Sequence, residues 1–295
     1  MDWLWTFPQL DEDSMRALRM TIDDSFRGFT RTYGDAIQQI FEPLRYFLIQ
    51  SEWLMLNTPW FVVIVAIAAL AWLASRKWTI VLGSVITLLL IGYFGMWEDT
   101  MRTVSMIFVC TVISLVLGIP IGIVMARSNR VQSIISPVLD VMQTLPSFVY
   151  LIPVVMLLGI GRVPGLLAVV IYAIPPIIRL TNLGIRLVDK EVLEASDAFG
   201  SSSWQKLYNV QLPLALPTIM AGINQTIMMA LAMVVIASMI GVQGLGQPVL
   251  RAINNQYFTM GMFNGLAIVG IAIIFDRISQ AFGKRIQKHQ EHAHG

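Results

Sequence analysis

The chain has few charged residues, and this scarcity limits what kind of protein it can be. Only 13% of its 295 residues are Asp, Glu, Lys or Arg, about half the share found in soluble globular proteins. The charges are also clustered, so that long stretches carry none. The net charge is only +2, which gives no indication of a nucleic-acid partner. An ordinary soluble fold is therefore excluded for most of the chain.

Cysteine and catalytic motifs are equally scarce. The single cysteine, Cys110, lies in an apolar run and cannot form a disulfide within the chain. One cysteine is also a poor basis for a metal site, and we expect no bound metal. The sequence contains no HExxH, no GxSxG, no P-loop and no pair of carboxylates in the middle of an apolar segment. These absences argue against an intramembrane enzyme and against a nucleotide site in the chain itself.

Apolar residues, by contrast, make up 56% of the chain and form seven long segments. A membrane-spanning helix needs roughly 20 mostly apolar residues. The segments cover residues 60–74, 79–96, 103–126, 145–160, 165–183, 217–240 and 262–282. Prolines interrupt the fourth and fifth segments, where neighbouring helices or a cavity must satisfy the freed backbone groups. The pattern predicts an all-α polytopic membrane protein of about seven transmembrane helices.

The connectors between these segments differ in their basic residues. One set of connectors is rich in Lys and Arg and contains Arg76, Lys77, Arg127, Arg130, Arg186, Lys190, Lys206, Lys284, Arg285 and Lys288. The opposite set contains only Arg102, Arg162 and Arg251. Short basic connectors stay in the cytoplasm. We therefore predict that the N-terminus is outside and the C-terminus inside.

Residues 1–58 precede the first apolar segment and carry a helical pattern of their own. Their start is acidic, which does not match a signal peptide, and their apolar side chains recur every three or four residues. This predicts an amphipathic helix with Ser14 as N-cap, broken into pieces by Gly28, Gly34 and Pro43. Such a helix either lies on the outer membrane face or packs on the external surface of the protein itself.

The connector between the fifth and sixth segments, residues 186–216, is the most informative part of the sequence. Residues around Glu194 favour a short helix, and Gly200 can end it in the left-handed conformation. The serines at 201–203 can cap a second short helix, which Pro213 is expected to end. The connector therefore predicts a helix-turn-helix that projects from the membrane.

This connector resembles the cytoplasmic loop signature of binding-protein-dependent ABC importer permeases, which is Glu-Ala-Ala, a glycine, and then an aliphatic residue with Leu-Pro. The matching residues are Glu194, Ala195, Gly200, Val210, Leu212 and Pro213. Ser196 stands where the family has a second alanine, and Val210 stands where isoleucine is usual. The resemblance implies that Glu194, Ala195, Ser196 and Gly200 couple the chain to an ATPase subunit.

A wider stretch, roughly residues 100–283, resembles the permease of glycine betaine, proline betaine and choline uptake systems. The resemblance is carried by residues 139–150, 174–181, 217–226 and 234–240. It implies a type I ABC importer permease core in a bacterial cytoplasmic (inner) membrane, with a path for a quaternary ammonium compound. The implied partners are a second copy of the chain, an extracytoplasmic substrate-binding protein, and an ABC ATPase subunit that binds ATP and Mg²⁺. A permease for another small solute, such as an amino acid, and a secondary transporter are the alternatives.

Five residues are candidates for lining the translocation path: Phe148, Tyr150, Asn224, Gln225 and Met228. Polar residues within spans are functional candidates by default, and aromatic faces attract quaternary ammonium groups. For Asn224 and Gln225 the alternative is a hydrogen bond between helices, and for the other three it is packing. Asp276 and Arg277, near the inner end of the last span, are interpreted as an interfacial ion pair, with a charge relay as the alternative.

These expectations divide the chain into four parts. Residues 1–58 form an extracytoplasmic tail with the amphipathic helix, and residues 59–98 form two N-terminal transmembrane helices. Residues 99–283 form a permease core of about five transmembrane helices, which contains the coupling loop 186–216. Residues 284–295 form a cytoplasmic tail.

Overall fold

The computed structural model describes Phe7 and residues 9–293, with side chains described as far as Arg285. Residues 1–6 and 8 of the predicted tail, and residues 294–295 of the predicted C-terminal segment, lie outside this description. Over the described range the chain is helical and forms no strand. The α-helices are α1 (Glu12–Asn57), α2 (Trp60–Ser75), α3 (Trp78–Tyr93), α4 (Trp97–Arg127), α5 (Asn129–Thr144), α6 (Leu151–Leu158), α7 (Arg162–Ala173), α8 (Pro175–Arg186), α9 (Lys190–Ala198), α10 (Ser203–Lys206), α11 (Leu212–Ala237), α12 (Gly246–Asn255) and α13 (Phe258–Ala293).

Four helical stretches are long and apolar enough to cross a membrane. They are Trp97–Arg127, Arg162–Arg186, Ser203–Ile240 and Phe258–Arg285. Two bent pairs qualify if each counts as one span: α1 with α2, bent by 106°, and α5 with Ser147–Leu158, bent by 112°. In the described part of the chain this criterion gives four to six spans rather than seven, because α2 and α3 have only 16 residues each and α6 has eight. All seven predicted segments nevertheless fall on helices, and the all-α polytopic fold is confirmed.

The centre of the fold is formed by α4, α8 and α11, with α7 and α13 packed around them. Two glycines let α4 and α8 approach closely. A Cβ added at Gly118 would lie 2.5 Å from Cγ2 of Ile177, and one at Gly122 would lie 2.6 Å from Cβ of Thr181. Close approach matters in lipid, where helix association depends on van der Waals packing between small residues. The α2–α3 hairpin packs beside this core, against α13.

The first helix corrects the sequence prediction. α1 runs unbroken for 46 residues through Gly28, Gly34 and Pro43, which were expected to break it. Its N-cap is Asp11 rather than Ser14, and the Asp11 side chain makes no capping hydrogen bond. A glycine costs about 1 kcal/mol and a proline about 3 kcal/mol in a helix interior. Packing of α1 against α4, α6 and α7 supplies tertiary stabilisation that offsets these local costs.

The end of the coupling loop also differs from its prediction. Pro213 was expected to end the second short helix, yet the chain stays helical from Ser203 to Ile240. A π-helical turn at Leu207–Gln211 directly precedes Leu212 and Pro213, and such a turn accommodates an interruption of the regular hydrogen-bond pattern within a continuing helix. The loop and the span therefore share one rod of 38 residues, about 57 Å long at 1.5 Å per residue.

Candidate coupling hairpin and translocation face

Between α8 and α11 the chain forms a helical hairpin of α9 and α10, here called the coupling hairpin (residues 190–206). Asp189 caps α9 by accepting a hydrogen bond from the N–H of Glu191 at 2.9 Å. Ser202 and Gln205 form a capping box on α10: each side-chain oxygen accepts from the backbone N–H of the other, at 3.3 Å and 2.8 Å. The predicted serine cap is confirmed.

Gly200 forms the tip of the coupling hairpin. Its φ is +77°, the left-handed conformation that the sequence predicts. Next to it, the N–H of Ser201 donates to the carbonyl of Ser196 at 3.1 Å, and Lys206 forms an ion pair with Asp197. The turn and the ion pair hold α9 and α10 together as one unit.

The four residues assigned to coupling differ in exposure. Glu194, Ala195 and Gly200 are exposed, whereas Ser196 is only 8% exposed. Among the described residues, Glu194 has no hydrogen-bond or ion-pair partner, so its carboxylate is available to a group on another protein. Three of the four therefore lie on the outer surface of the hairpin, while the Ser196 side chain supports it from within.

Sequence reasoning missed the aromatic side chains of this region. Phe199 is 91% exposed at the tip, and the exposed Trp204 ring stacks on Tyr208 with centroids 5.9 Å apart. The guanidinium carbon of Arg127, at the end of α4, lies 4.6 Å from the centroid of the Trp204 ring. The same guanidinium donates a hydrogen bond to the backbone carbonyl of Ser203 at 2.8 Å. Exposed apolar side chains that cluster on one surface are typical of a protein contact. A phenylalanine directly before the turn glycine was the available signal.

Asn224 lies in a polar cluster between α11 and α13. Its Nδ2 donates to Oδ1 of Asp276 at 2.9 Å, and its Oδ1 accepts from the hydroxyl of Ser279. Nε2 of Gln280 donates to the same Asp276 oxygen at 2.7 Å. Asn224 thus forms a hydrogen bond between helices, which was the alternative to lining the path. Asp276 pairs with these amides, so the expected ion pair with Arg277 is wrong.

Gln225 and Met228 occupy a different side of α11 and are exposed. They share an exposed row with Ala221 and Ala232 at helical spacing, here called the α11 face (residues 221, 225, 228 and 232). The 3₁₀ turn that precedes α6 contacts α11 and carries Phe148, which is 59% exposed. Gln225, Met228 and Phe148 therefore remain candidates for lining a path.

Tyr150 differs from its neighbour in the same turn. Its side chain is buried, its hydroxyl donates to the carbonyl of Met142, and its ring meets Tyr172 edge-on at 5.8 Å. A satisfied hydroxyl and a packed ring are typical of a structural tyrosine. The structure therefore favours packing over a path for Tyr150.

An ionic cluster that the sequence did not predict lies at the end of the bundle opposite the coupling hairpin. Glu52, only 12% exposed, accepts from Arg162 at 2.7 Å and lies 3.5 Å from Arg102. Arg162 also donates to Oε1 of Gln243 at 2.8 Å. This Glu52 cluster joins α1 to α4, to α7 and to the glycine-rich segment 241–246 that follows α11. The signal was weak: Glu52 is the only carboxylate between residues 43 and 57.

The fold and these contacts define a class, a helical membrane protein whose spans are linked by an exposed hairpin continuous with one of them. Residues 118–288, more than half of the chain, match the family described as binding-protein-dependent transport system inner membrane component. The match includes the coupling hairpin and the α11 face. The chain therefore belongs to this family of multi-pass inner-membrane permease subunits, and the resemblance seen in the sequence is confirmed.

Individual relatives agree with the family. The glycine betaine/carnitine transport permease protein GbuB of Listeria monocytogenes serotype 1/2a (strain 10403S) is 51% identical over 79% of this chain and 84% of its own length. The glycine betaine/proline betaine transport system permease protein ProW of Escherichia coli (strain K12) is 49% identical over 85% of this chain and 71% of its own length. An inward-facing structure of the MetNI methionine ABC transporter matches 62% of this chain and 92% of its own with a TM-score of 0.57 and 20% identity. That last similarity supports the type I importer permease fold alone.

Proposed function

We propose that this chain forms the transmembrane pathway of an ATP-driven importer for a quaternary ammonium compound, namely glycine betaine, proline betaine or choline. The observation that carries the proposal is the identity of 51% and 49% to two permeases named for glycine betaine. The α11 face agrees with such a solute because it carries no charged side chain. The permanently positive ammonium group of the solute would meet no carboxylate there that could hold it.

The importer needs three partners in this proposal. An ABC ATPase subunit binds ATP and Mg²⁺ and seats the coupling hairpin through Glu194, Ala195, Gly200 and the exposed Phe199. An extracytoplasmic substrate-binding protein delivers the solute, and a second copy of the chain completes the pathway. The family description, which names dependence on a binding protein, supports this division of labour.

Alternating access follows from the continuity between the coupling hairpin and α11. Closure of the ATPase subunits on ATP displaces the hairpin, which its capping box and ion pair keep rigid. The helix from Ser203 to Ile240 carries that displacement into the bundle as one element. The α11 face, with Gln225 and Met228, then turns between outward and inward exposure.

The orientation proposed is N-terminus outside and C-terminus inside. The basic connectors support it, and they include both the coupling hairpin and the end of α13. The Glu52 cluster then lies on the outer side. α1 would run along the outer membrane face, which agrees with its bend of 106° against α2.

Uptake measurements test the proposal. The chain is reconstituted with its ATPase and binding protein, and uptake of radiolabelled glycine betaine, proline betaine, choline and an amino acid is measured with and without ATP. We expect ATP-dependent uptake of at least one quaternary ammonium compound. Uptake of the amino acid, but of none of the three quaternary ammonium compounds, would overturn the substrate class. Solute movement by the chain without an ATPase would overturn the importer assignment.

A further inference from the structure

A cavity lies away from both the coupling hairpin and the α11 face, between the α2–α3 turn and the end of α13. Its volume is about 350 Å³, and we call it the basic cavity. Its lining contains five cationic side chains: Arg76, Lys77, Arg277, Lys284 and Arg285. No carboxylate lines it, and none of these five forms an ion pair among the described side chains. Because the cations repel one another without a counter-charge, the cavity favours an anion.

The backbone around the basic cavity holds the cations in place. Arg76 has a φ of +53°, an uncommon conformation for a residue with a side chain, and its N–H donates to the carbonyl of Trp72 at 2.9 Å. Arg285 donates from α13 to the carbonyl of Leu73 across the cavity. The α2–α3 turn and α13 are thereby tied together, so that cations from two distant parts of the sequence converge.

A groove continues from the basic cavity along α3 and α13. Its volume is about 420 Å³, and it shares Lys77, Ile80 and Arg277 with the cavity. Further in, uncharged side chains line it: Thr79, Gly83, Ser84, Thr87, Ile273 and Ile274. The site is thus strongly cationic at one end and uncharged along the rest of its length.

We propose that the basic cavity binds the phosphate headgroup of an acidic phospholipid, with an acyl chain of that lipid in the adjoining groove. The cavity lies where Lys284 and Arg285 follow the last span, at the level of lipid headgroups. A free phosphate ion would use the cations but not the groove, and a zwitterionic lipid would gain little from five unpaired cations. In the proposed orientation this is the cytoplasmic leaflet, which carries anionic lipids.

Lipid binding to the purified full chain tests the charge requirement. Native mass spectrometry measures the affinity for added phosphatidylglycerol and phosphatidylcholine in wild type, Lys77→Gln and Arg277→Gln. Arg130→Gln is the matched control, because Arg130 is an exposed cation outside the cavity. We expect tighter binding of phosphatidylglycerol than of phosphatidylcholine, and about fivefold weaker phosphatidylglycerol binding for each cavity cation removed. Equal affinity for both lipids, or an equal loss in Arg130→Gln, would overturn the proposal.

A second variant tests the groove. A Cβ at Gly83 meets no atom within 4 Å, so a side chain can begin there, and Gly83→Leu is expected to occupy the groove that Gly83 lines. Gly265→Leu is the control, because Gly265 is equally open and lies outside the groove. We expect Gly83→Leu to weaken phosphatidylglycerol binding at least fivefold and Gly265→Leu to leave it unchanged, with unfolding temperatures confirming that both variants fold. Unchanged binding in Gly83→Leu, or displacement of the lipid by equimolar inorganic phosphate, would assign the cavity to a free anion instead. No ATPase is present, so the result is independent of the transport proposal.

Discussion

At the scale of single residues, two neighbouring amides on α11 have different roles. Asn224 is hydrogen-bonded to Asp276 and Ser279 on α13, whereas Gln225 is exposed on the α11 face. An unpaired amide is costly in an apolar environment. Asn224 therefore fixes the position of α11 against α13, and Gln225 is the exposed amide that the proposed function assigns to the path.

We expect Asn224→Ala to lower the free energy of unfolding by about 1 kcal/mol, because interhelical side-chain hydrogen bonds in membranes contribute about 0.6 to 1.7 kcal/mol. Thermal unfolding of the purified chain in detergent measures this change. Gln225→Ala is the matched comparison, and we expect it to leave the unfolding temperature unchanged and to reduce solute uptake. A loss of stability in Gln225→Ala but not in Asn224→Ala would contradict these roles.

The turn glycine of the coupling hairpin allows a second test. Gly200 has a φ of +77°, which costs a residue with a side chain about 1–2 kcal/mol. We expect Gly200→Val to distort the tip and to reduce uptake about tenfold while ATP hydrolysis and membrane insertion persist. Gly200→Asn should retain uptake, because asparagine tolerates the left-handed conformation. Normal uptake in the valine variant would count against a coupling role.

At the scale of helices, tertiary contacts determine where α1 and α11 end and how those ends are held. α11 continues into the coupling hairpin through its π turn. α1, whose first half is largely exposed, is anchored at its far end by the Glu52 cluster. A carboxylate that is only 12% exposed and lies between two arginines is costly to remove, because both cations then lose the counter-charge that they share.

We expect Glu52→Gln to release the C-terminal part of α1 from the core. Charged hydrogen bonds contribute about 1.5–3 kcal/mol each, so amide hydrogen exchange in residues 44–57 should accelerate at least tenfold. Glu42→Gln is the control, because the one ion pair that Glu42 forms among the described side chains is an exposed pair with Arg45, one turn away. If both variants exchange equally, the cluster does not anchor the helix.

At the scale of the whole molecule, the described surface has two distinct ends. The coupling hairpin, with Phe199 at its tip, lies at the end of the bundle opposite the Glu52 cluster. The basic cavity is formed by the α2–α3 turn together with the end of α13, beside the α4–α8–α11 core. The parts proposed for transport and for lipid contact are therefore separate, and variants can address them independently.

Phe199→Ala should leave the fold intact, because the side chain is 91% exposed, and should weaken association with the ATPase subunit. Aromatic anchors at interface centres contribute at least about 2 kcal/mol, which corresponds to about 30-fold in affinity. Co-purification of the ATPase with the tagged chain measures the loss. Phe258→Ala removes a 77% exposed phenylalanine at the start of α13, and this variant should co-purify with the ATPase as wild type does. Equal behaviour of the two variants would refute the anchor role.

The sequence by itself determined the features that depend on local or compositional physics. Long apolar segments require spanning helices, and the caps, Gly200 and the loop signature predict the coupling hairpin, because capping involves residues only a few positions apart. The family followed from the same residues.

Only the tertiary structure decided the features that depend on distant neighbours. The local costs of Gly28, Gly34 and Pro43 predicted breaks in α1, but packing against other helices outweighs them. Asn224 and Gln225 are chemically alike, and only the position of α13 separates them. The Glu52 cluster and the basic cavity unite residues from distant parts of the sequence. No local pattern encodes such contacts, because their free energy arises only when the helices pack.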